Sequence, residues 1–240
     1  MLDISSHAVV VTGATGNLGT AIVGAYLTRG THVAAAVRDA AKGDALRATL
    51  ADVAGGEDDP RLLLIPADPA DAAAMEALVE RVLRAWGRID ILNNLAGTFK
   101  GGSALDTGLM REMWDSNVLT AVTAAAACLR PMRARGYGRI VSVSAIGALK
   151  GSRNSAAYAM SKSALVRWTE SLAAEVKDEG ITVNAVMPTA IDHPVNREKM
   201  PKADPNLWPS PEEVASVILF LSSREASGVN GAAIPITART

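Results

Sequence analysis

Ala8-Val9-Val10-Val11-Thr12-Gly13-Ala14-Thr15-Gly16-Asn17-Leu18-Gly19 decides the fold. A short apolar run, Ala8 to Val11, ends in a glycine turn, and a helix-forming stretch, Thr20 to Arg29, follows it. Glycines permit a tight turn and let backbone amides approach a charged group, and the N-terminus of the helix behind them favours negative charge. Strand, glycine turn and helix in this order are the context that a dinucleotide's pyrophosphate requires. Gly13, Thr15, Asn17, Leu18 and Gly19 are therefore candidate cofactor-binding residues.

The rest of the chain alternates in the same way. Further short apolar runs lie at His32 to Val37, Leu62 to Pro66, Ile89 to Leu92, Arg139 to Val143, Thr182 to Val186 and Ala232 to Pro235. Each is too short for a helix and too apolar for a surface, so both faces are expected to be covered. Alanine-rich helical stretches between them begin near Gly19, Lys42, Ala70, Leu109, Ser155 and Pro211. Asp68-Pro69-Ala70-Asp71 reads as a helix start, and Ser210-Pro211-Glu212-Glu213 combines an N-cap serine, an N1 proline and acidic first-turn residues. The pattern predicts one α/β domain over 1–240, a Rossmann-type doubly wound fold with a parallel sheet of about seven strands and helices on both faces. One stretch departs from it: Pro188, Pro194, Pro201, Pro205 and Pro209 punctuate 188–209, which reads as a substrate lid or as an ordered surface excursion.

Composition narrows the function classes. With 24 basic and 25 acidic residues the net charge is −1, and no basic excess points to a nucleic-acid partner. No uninterrupted apolar run reaches the ~18 residues of a membrane span, and Met1 to His7 carries no basic leader before an apolar stretch. The lone Cys128, set among alanines and leucines, fits a buried thiol in a reducing compartment, so a cytoplasmic protein is expected. No metal site is expected.

Cofactor choice is read at the end of the second strand, where an acid would accept from a ribose 2′-hydroxyl and a cation would meet a 2′-phosphate. The acid's place holds Val37, followed by Arg38, which favours NADP and leaves NAD possible through the neighbouring Asp39. Arg38 also reads as a plain basic residue at a strand end. Asp68 is placed either to accept from an adenine amino group or to cap the next helix.

Tyr158-Ala159-Met160-Ser161-Lys162 puts a phenol and an ammonium four residues apart, on one helix face. A nearby cation favours phenolate, so Lys162 is expected to lower the pKa of Tyr158 toward the working pH. With the glycine turn in order and at distance, the chain resembles the short-chain dehydrogenase/reductase family over essentially its whole length. Trp86 to Gly97 is similar to the family's fourth strand and Asn-Asn-Ala-Gly signature, with Asn94, Ala96 and Gly97 matching and Leu95 departing. Trp114-Asp115-Ser116-Asn117 resembles the segment carrying the family's active-site asparagine, which the resemblance implies holds a water in a proton relay to the lysine. Val183 to Ile191 resembles the strand and turn that meet the nicotinamide, which implies contacts from Pro188 and Ile191, with Thr189 replacing glycine and His193 replacing threonine. His193 reads either as a group titrating near substrate or as a hydrogen-bonding lid residue. The turn's G-x-x-G-x-x-G spacing is that of extended members, and compact members have glycine where Asn17 lies. Asparagine tolerates left-handed angles, so the turn is expected to survive.

The resemblance implies a catalytic trio of Tyr158, Lys162 and Asn117, with Tyr158 as proton donor and acceptor for hydride transfer between nicotinamide and a carbonyl, alcohol or quinonoid small molecule. The family's catalytic serine aligns with Ala145. Ser144 is adjacent, but neighbours on an extended segment point opposite ways. Losing an oriented donor to a developing oxyanion costs about 10²- to 10³-fold in rate, a loss that matters less for a quinonoid acceptor. Quinonoid dihydropteridine reductases also lack that serine, and the stretch from Asp192 to Asp204 with the following Trp208 resembles their lid. A catalytically weak NADP-binding sensor or scaffold is the reading of another class. The resemblance implies a homodimer or homotetramer packed through alanine-rich helices such as Ala121 to Leu129 and Ala156 to Ala174, whose apolar faces are equally explained by packing on the sheet.

Overall fold

The computed structural model describes residues 4–56 and 58–239, so Met1 to Asp3 of the stretch read for a leader lies outside the described residues. The elements run β1 (Ala8–Thr12), α1 (Asn17–Leu27), β2 (His32–Val37), α2 (Ala40–Ala54), β3 (Leu62–Pro66), α3 (Ala72–Trp86), β4 (Ile91–Asn94) and α4 (Thr107–Trp114). A π-helical turn, Asp115–Leu119, joins α4 to α5 (Thr120–Arg135). Then come β5 (Gly138–Val143), α6 (Ala156–Val176), β6 (Ile181–Pro188), α7 (Pro194–Lys199), α8 (Pro211–Leu221) and β7 (Ala233–Ile236). All seven strands are parallel, in the order β3-β2-β1-β4-β5-β6-β7.

Successive residues of a strand face opposite sides, and β1 shows what this means for packing. Val9 and Val11 join Ile22, Tyr26, Leu46, Leu50, Val214 and Ile218, so α1, α2 and α8 cover one face. Val10 joins Met75, Leu78, Val82, Cys128, Met132 and Leu172, so α3, α5 and α6 cover the other. Burying each such aliphatic side chain stabilises by about 1.5–3 kcal/mol before chain entropy is charged against it. Among the described residues, no helix is long and apolar enough to cross a membrane.

Most element boundaries shift from expectation by one or two residues, and two of the shifts have identifiable reasons. The fourth strand runs from Ile91 to Asn94, not from Ile89 to Leu92: Asn93 Nδ2 donates to Ser222 Oγ at 3.3 Å and Asn94 Nδ2 to Ser142 Oγ at 3.3 Å. With partners for their amides, both residues stay in the sheet. The third helix starts at Ala72 rather than Ala70 because Asp71 caps it through the amides of Ala73 and Ala74, while Asp68 only closes the preceding turn by accepting from Ala70 N at 3.0 Å.

The proline-rich stretch is not structureless. It contains α7, capped by His193, and a single 3₁₀ turn at Pro205–Leu207. Asp192 N donates to Pro209 O at 2.9 Å, so its two ends are tied together, and Trp208 is buried beneath it.

Candidate active site

β1 leads to β2 on one side, and β4 lies on the other, so a crevice opens at their C-terminal ends, where open α/β sheets bind ligands. Gly13 sits there at φ +67°, and a Cβ on it would lie 2.7 Å from Ala96 N. Only glycine allows β1 and the end of β4 to approach so closely. Gly19 is equally confined, since a Cβ there would clash with Gly13 O and Ala14 O. Thr12 Oγ1 locks the arrangement by accepting from Leu95 N at 3.2 Å and Ala96 N at 3.3 Å.

Five other helices receive a side-chain cap at their start: Asp39 caps α2, Asp71 α3, Asp106 α4, His193 α7 and Ser210 α8. The N-cap of α1 is Gly16, which has no side chain to offer. The first amides of α1 therefore stay open at the crevice, which fits an anionic pyrophosphate. Asn17 is the first residue of α1 and has no positive φ, so its tolerance of left-handed angles is not what preserves the turn.

The other proposed cofactor residues share this edge. Arg38 is exposed directly after β2, and Asp39 is committed to capping α2 through Lys42 N at 3.3 Å. Asp68 is exposed after β3. Ala96 and Gly97 follow β4, Pro188 ends β6, and Ile191 packs onto the α1 face of the sheet. Asn94 does not join them: its amide is turned into the sheet toward Ser142 and the Ala121 carbonyl, which makes it a strand-positioning residue.

Tyr158 and Lys162 lie one turn apart on α6. Lys162 is buried and its Nζ donates to Val143 O at 2.8 Å, 5.8 Å from the centroid of the Tyr158 ring. Asn117 is fully buried in the π turn: Oδ1 accepts from Thr98 N at 2.9 Å, and Nδ2 reaches Thr98 O at 3.1 Å and Ser161 Oγ at 3.0 Å. A Cβ on Gly97 would lie 2.5 Å from Asn117 Oδ1 and 3.3 Å from Lys162 Nζ, so the fold brings Gly97, Asn117 and Lys162 to one point. The π turn, a feature frequent at functional sites, has no signature in the sequence.

The expected acidification of Tyr158 is not what the structure gives. Burial pushes the phenol up to about 12, and burial pulls the Lys162 ammonium down to about 8. The ammonium points at a carbonyl rather than at the phenol, so desolvation outweighs its attraction. Ser144 turns inward and donates to Lys162 O at 2.9 Å, while Ala145 is half-buried on the other side of the extended chain.

Three residues have a part that the sequence did not assign them: Thr12, whose lock needs β4 in place; Phe99, edge-on to Tyr158 at 5.0 Å and largely exposed; and Thr189, noted only as a glycine replacement, whose buried Oγ1 has no hydrogen-bond partner just after β6. His193 Nδ1 accepts from Val195 N at 3.3 Å, so its hydrogen-bonding role in this segment is the one observed.

Residues 7–204 match the family model of short chain dehydrogenases. The chain belongs to this family. It is 32% identical over 240 residues to D-threitol dehydrogenase of Mycolicibacterium smegmatis, covering 95% of this chain and 90% of that one. Levodione reductase superposes with a TM-score of 0.88 at 26% identity, covering 98% of this chain and 97% of the other. NAD+-bound xylitol dehydrogenase does so with a TM-score of 0.88 at 25% identity, covering 98% and 99%. The protein is thus an oxidoreductase of the short-chain dehydrogenase type, built as one Rossmann-like sheet with helices on both faces.

Proposed function

We propose that this short-chain dehydrogenase is an NADP-preferring reductase whose acceptor is a carbonyl or quinonoid small molecule, with Tyr158 giving the proton. The observation that carries the reading is the juxtaposition of Tyr158, Lys162, Asn117 and Gly97 beside an uncapped helix start. A reduced nicotinamide supplies the hydride when bound. The amides at the start of α1 would hold its pyrophosphate, Lys162 its ribose, and Thr189 Oγ1 and Ile191 lie where its ring end would meet β6. A phenol held near 12 is protonated at neutral pH, so Tyr158 is poised to donate to an acceptor oxygen, which favours reduction.

The preference for NADP rests on exposed Arg38 and on the engagement of Asp39 at Lys42 N. Ala145 in the place of the family's serine favours a quinonoid acceptor, as in a dihydropteridine reductase-like enzyme, because Ser144 is committed to Lys162 O and leaves no hydroxyl in that place. Residues 188–209 are proposed as the lid over the acceptor. Trp114, Met160 and Leu149 form an exposed apolar face on α4, α6 and the loop before α6, which supports association into a homodimer or homotetramer. A cytoplasmic setting is supported by the single thiol, Cys128, which burial pushes up to about 12.

Oxidation of NADPH and NADH measured across ketones, quinones and quinonoid dihydropterins tests the reading. It predicts turnover, tighter binding of NADPH, and loss of that preference in Arg38→Ser. Tight cofactor binding without turnover of any acceptor class would instead favour a sensor or scaffold.

A further inference from the structure

One aromatic side chain beside Tyr158 is left largely in the open. Phe99 is 61% exposed, yet its ring centroid lies 5.0 Å from that of Tyr158, with the two planes at 81°. A perpendicular contact engages one edge or one face of each ring, so at least one broad face of Phe99 is not used by it. The chain on either side imposes this placement. Asn117 takes both polar backbone atoms of Thr98, accepting from its N at 2.9 Å and donating to its O at 3.1 Å, so the backbone enters Phe99 at a fixed point. Beyond it, Gly102 N donates to Asn154 O at 2.9 Å and fastens the loop to the segment before α6. A single exposed apolar residue is ordinary on a protein surface. One whose backbone is fastened on both sides against the Tyr158 phenol is positioned.

The other surroundings of the phenol are apolar or small. Tyr158 packs with Leu109, Met113 and Ala157. A Cβ on Gly147 would lie 3.9 Å from Tyr158 Cε1, so that approach carries no side chain, and half-buried Ala145 offers only a methyl group after β5. The hydroxyls of this region donate to backbone carbonyls: Ser144 Oγ to Lys162 O at 2.9 Å, Ser161 Oγ to Tyr158 O at 2.8 Å and Ser163 Oγ to Ala148 O at 2.6 Å. The Asn117 amide is taken up by Thr98 and Ser161. A hydroxylated acceptor would bury its hydroxyls among groups that are already engaged, which is costly. A flat conjugated acceptor can instead lay its face against the open ring.

We propose that Phe99 is a specificity-determining residue whose open face receives a flat conjugated carbonyl compound and selects it over hydroxylated ones. The inference rests on Tyr158 as the proton donor of the proposed function, and it narrows the class of acceptor. Isatin, a flat bicyclic ketone, and dihydroxyacetone, a small hydroxylated one, are the probes. Calorimetry on the NADP+-loaded chain should show isatin bound more tightly than dihydroxyacetone. Phe99→Ala should weaken isatin binding by about tenfold and raise its KM by a similar factor, with kcat within about twofold. Its Tm and NADPH affinity should stay those of the unsubstituted chain, and Phe99→Tyr, which restores the ring, should restore isatin binding. Undiminished isatin binding in Phe99→Ala would overturn the proposal. So would equal losses for both probes, or tighter binding of dihydroxyacetone than of isatin by the unsubstituted chain. Turnover of hydroxylated ketones without isatin would sink this inference and leave the proposed function standing; isatin binding that depends on Phe99, with no acceptor turned over, would do the reverse.

Discussion

At the start of α1 the backbone amides are left bare, whereas along α6 the polar atoms around the Tyr158 hydroxyl are already tied to protein. Gly16 offers no cap to α1, and Gly13 and Gly19 clear the space in front of it. On α6, Lys162 Nζ is held by Val143 O, Ser161 Oγ donates to Tyr158 O and accepts from Asn117, and Lys162 O accepts from Ser144. The first region offers shape and backbone rather than side chains, so on the proposed function Asn17 can stand at its first position without cost. The second is built from individual side chains in fixed orientations, so on the proposed function a single exchange such as Ala145 alters what chemistry is served.

Breaking the first region should have the larger consequence. Gly13→Ala forces a Cβ to within 2.7 Å of Ala96 N at a φ of +67°, strain of at least about 1–3 kcal/mol. Calorimetry and NADPH fluorescence should show a lowered Tm and cofactor affinity reduced by more than about tenfold; an unchanged pair of values would mean that β4 yields more readily than its packing indicates. In the second region, Ala145→Ser should raise kcat/KM for simple ketones, by up to about 10²-fold, while leaving a quinonoid acceptor nearly unaffected. Equal gains for both would show that the hydroxyl's absence does not select the acceptor.

The smallest expected effect is a pH slope in stability. Lys162 holds its proton to an ordinary 10.5 when unfolded but only to about 8 when folded. Between those values the unfolded state binds more protons, so Lys162 makes stability rise with pH, by at most about 1.4 kcal/mol per unit. Tyr158 acts oppositely between 10 and about 12, where the folded state keeps the proton and stability falls. Denaturant melts of Lys162→Met should lose the rise between pH 8 and 10; a slope identical to that of the unsubstituted chain would show that the ammonium is solvated.

The same contrast explains what could be read without coordinates. The glycine turn, the seven strands and the Tyr158–Lys162 spacing are local, and local periodicity carries them. The end of β4 was hidden because Asn93 and Asn94 are polar and their partners, Ser222 and Ser142, are distant in sequence. The sign of the Tyr158 shift was hidden because spacing shows that a cation is near but not that both groups are desolvated. The π turn that seats Asn117 likewise depends on neighbours contributed by other elements.

The most direct test is Tyr158→Phe, assayed in parallel for NADPH binding and for single-turnover oxidation with the best acceptor. The account predicts cofactor affinity within about twofold of the unsubstituted chain and a turnover rate lower by about 10²- to 10⁴-fold. Hydride transfer at an undiminished rate in Tyr158→Phe would contradict it.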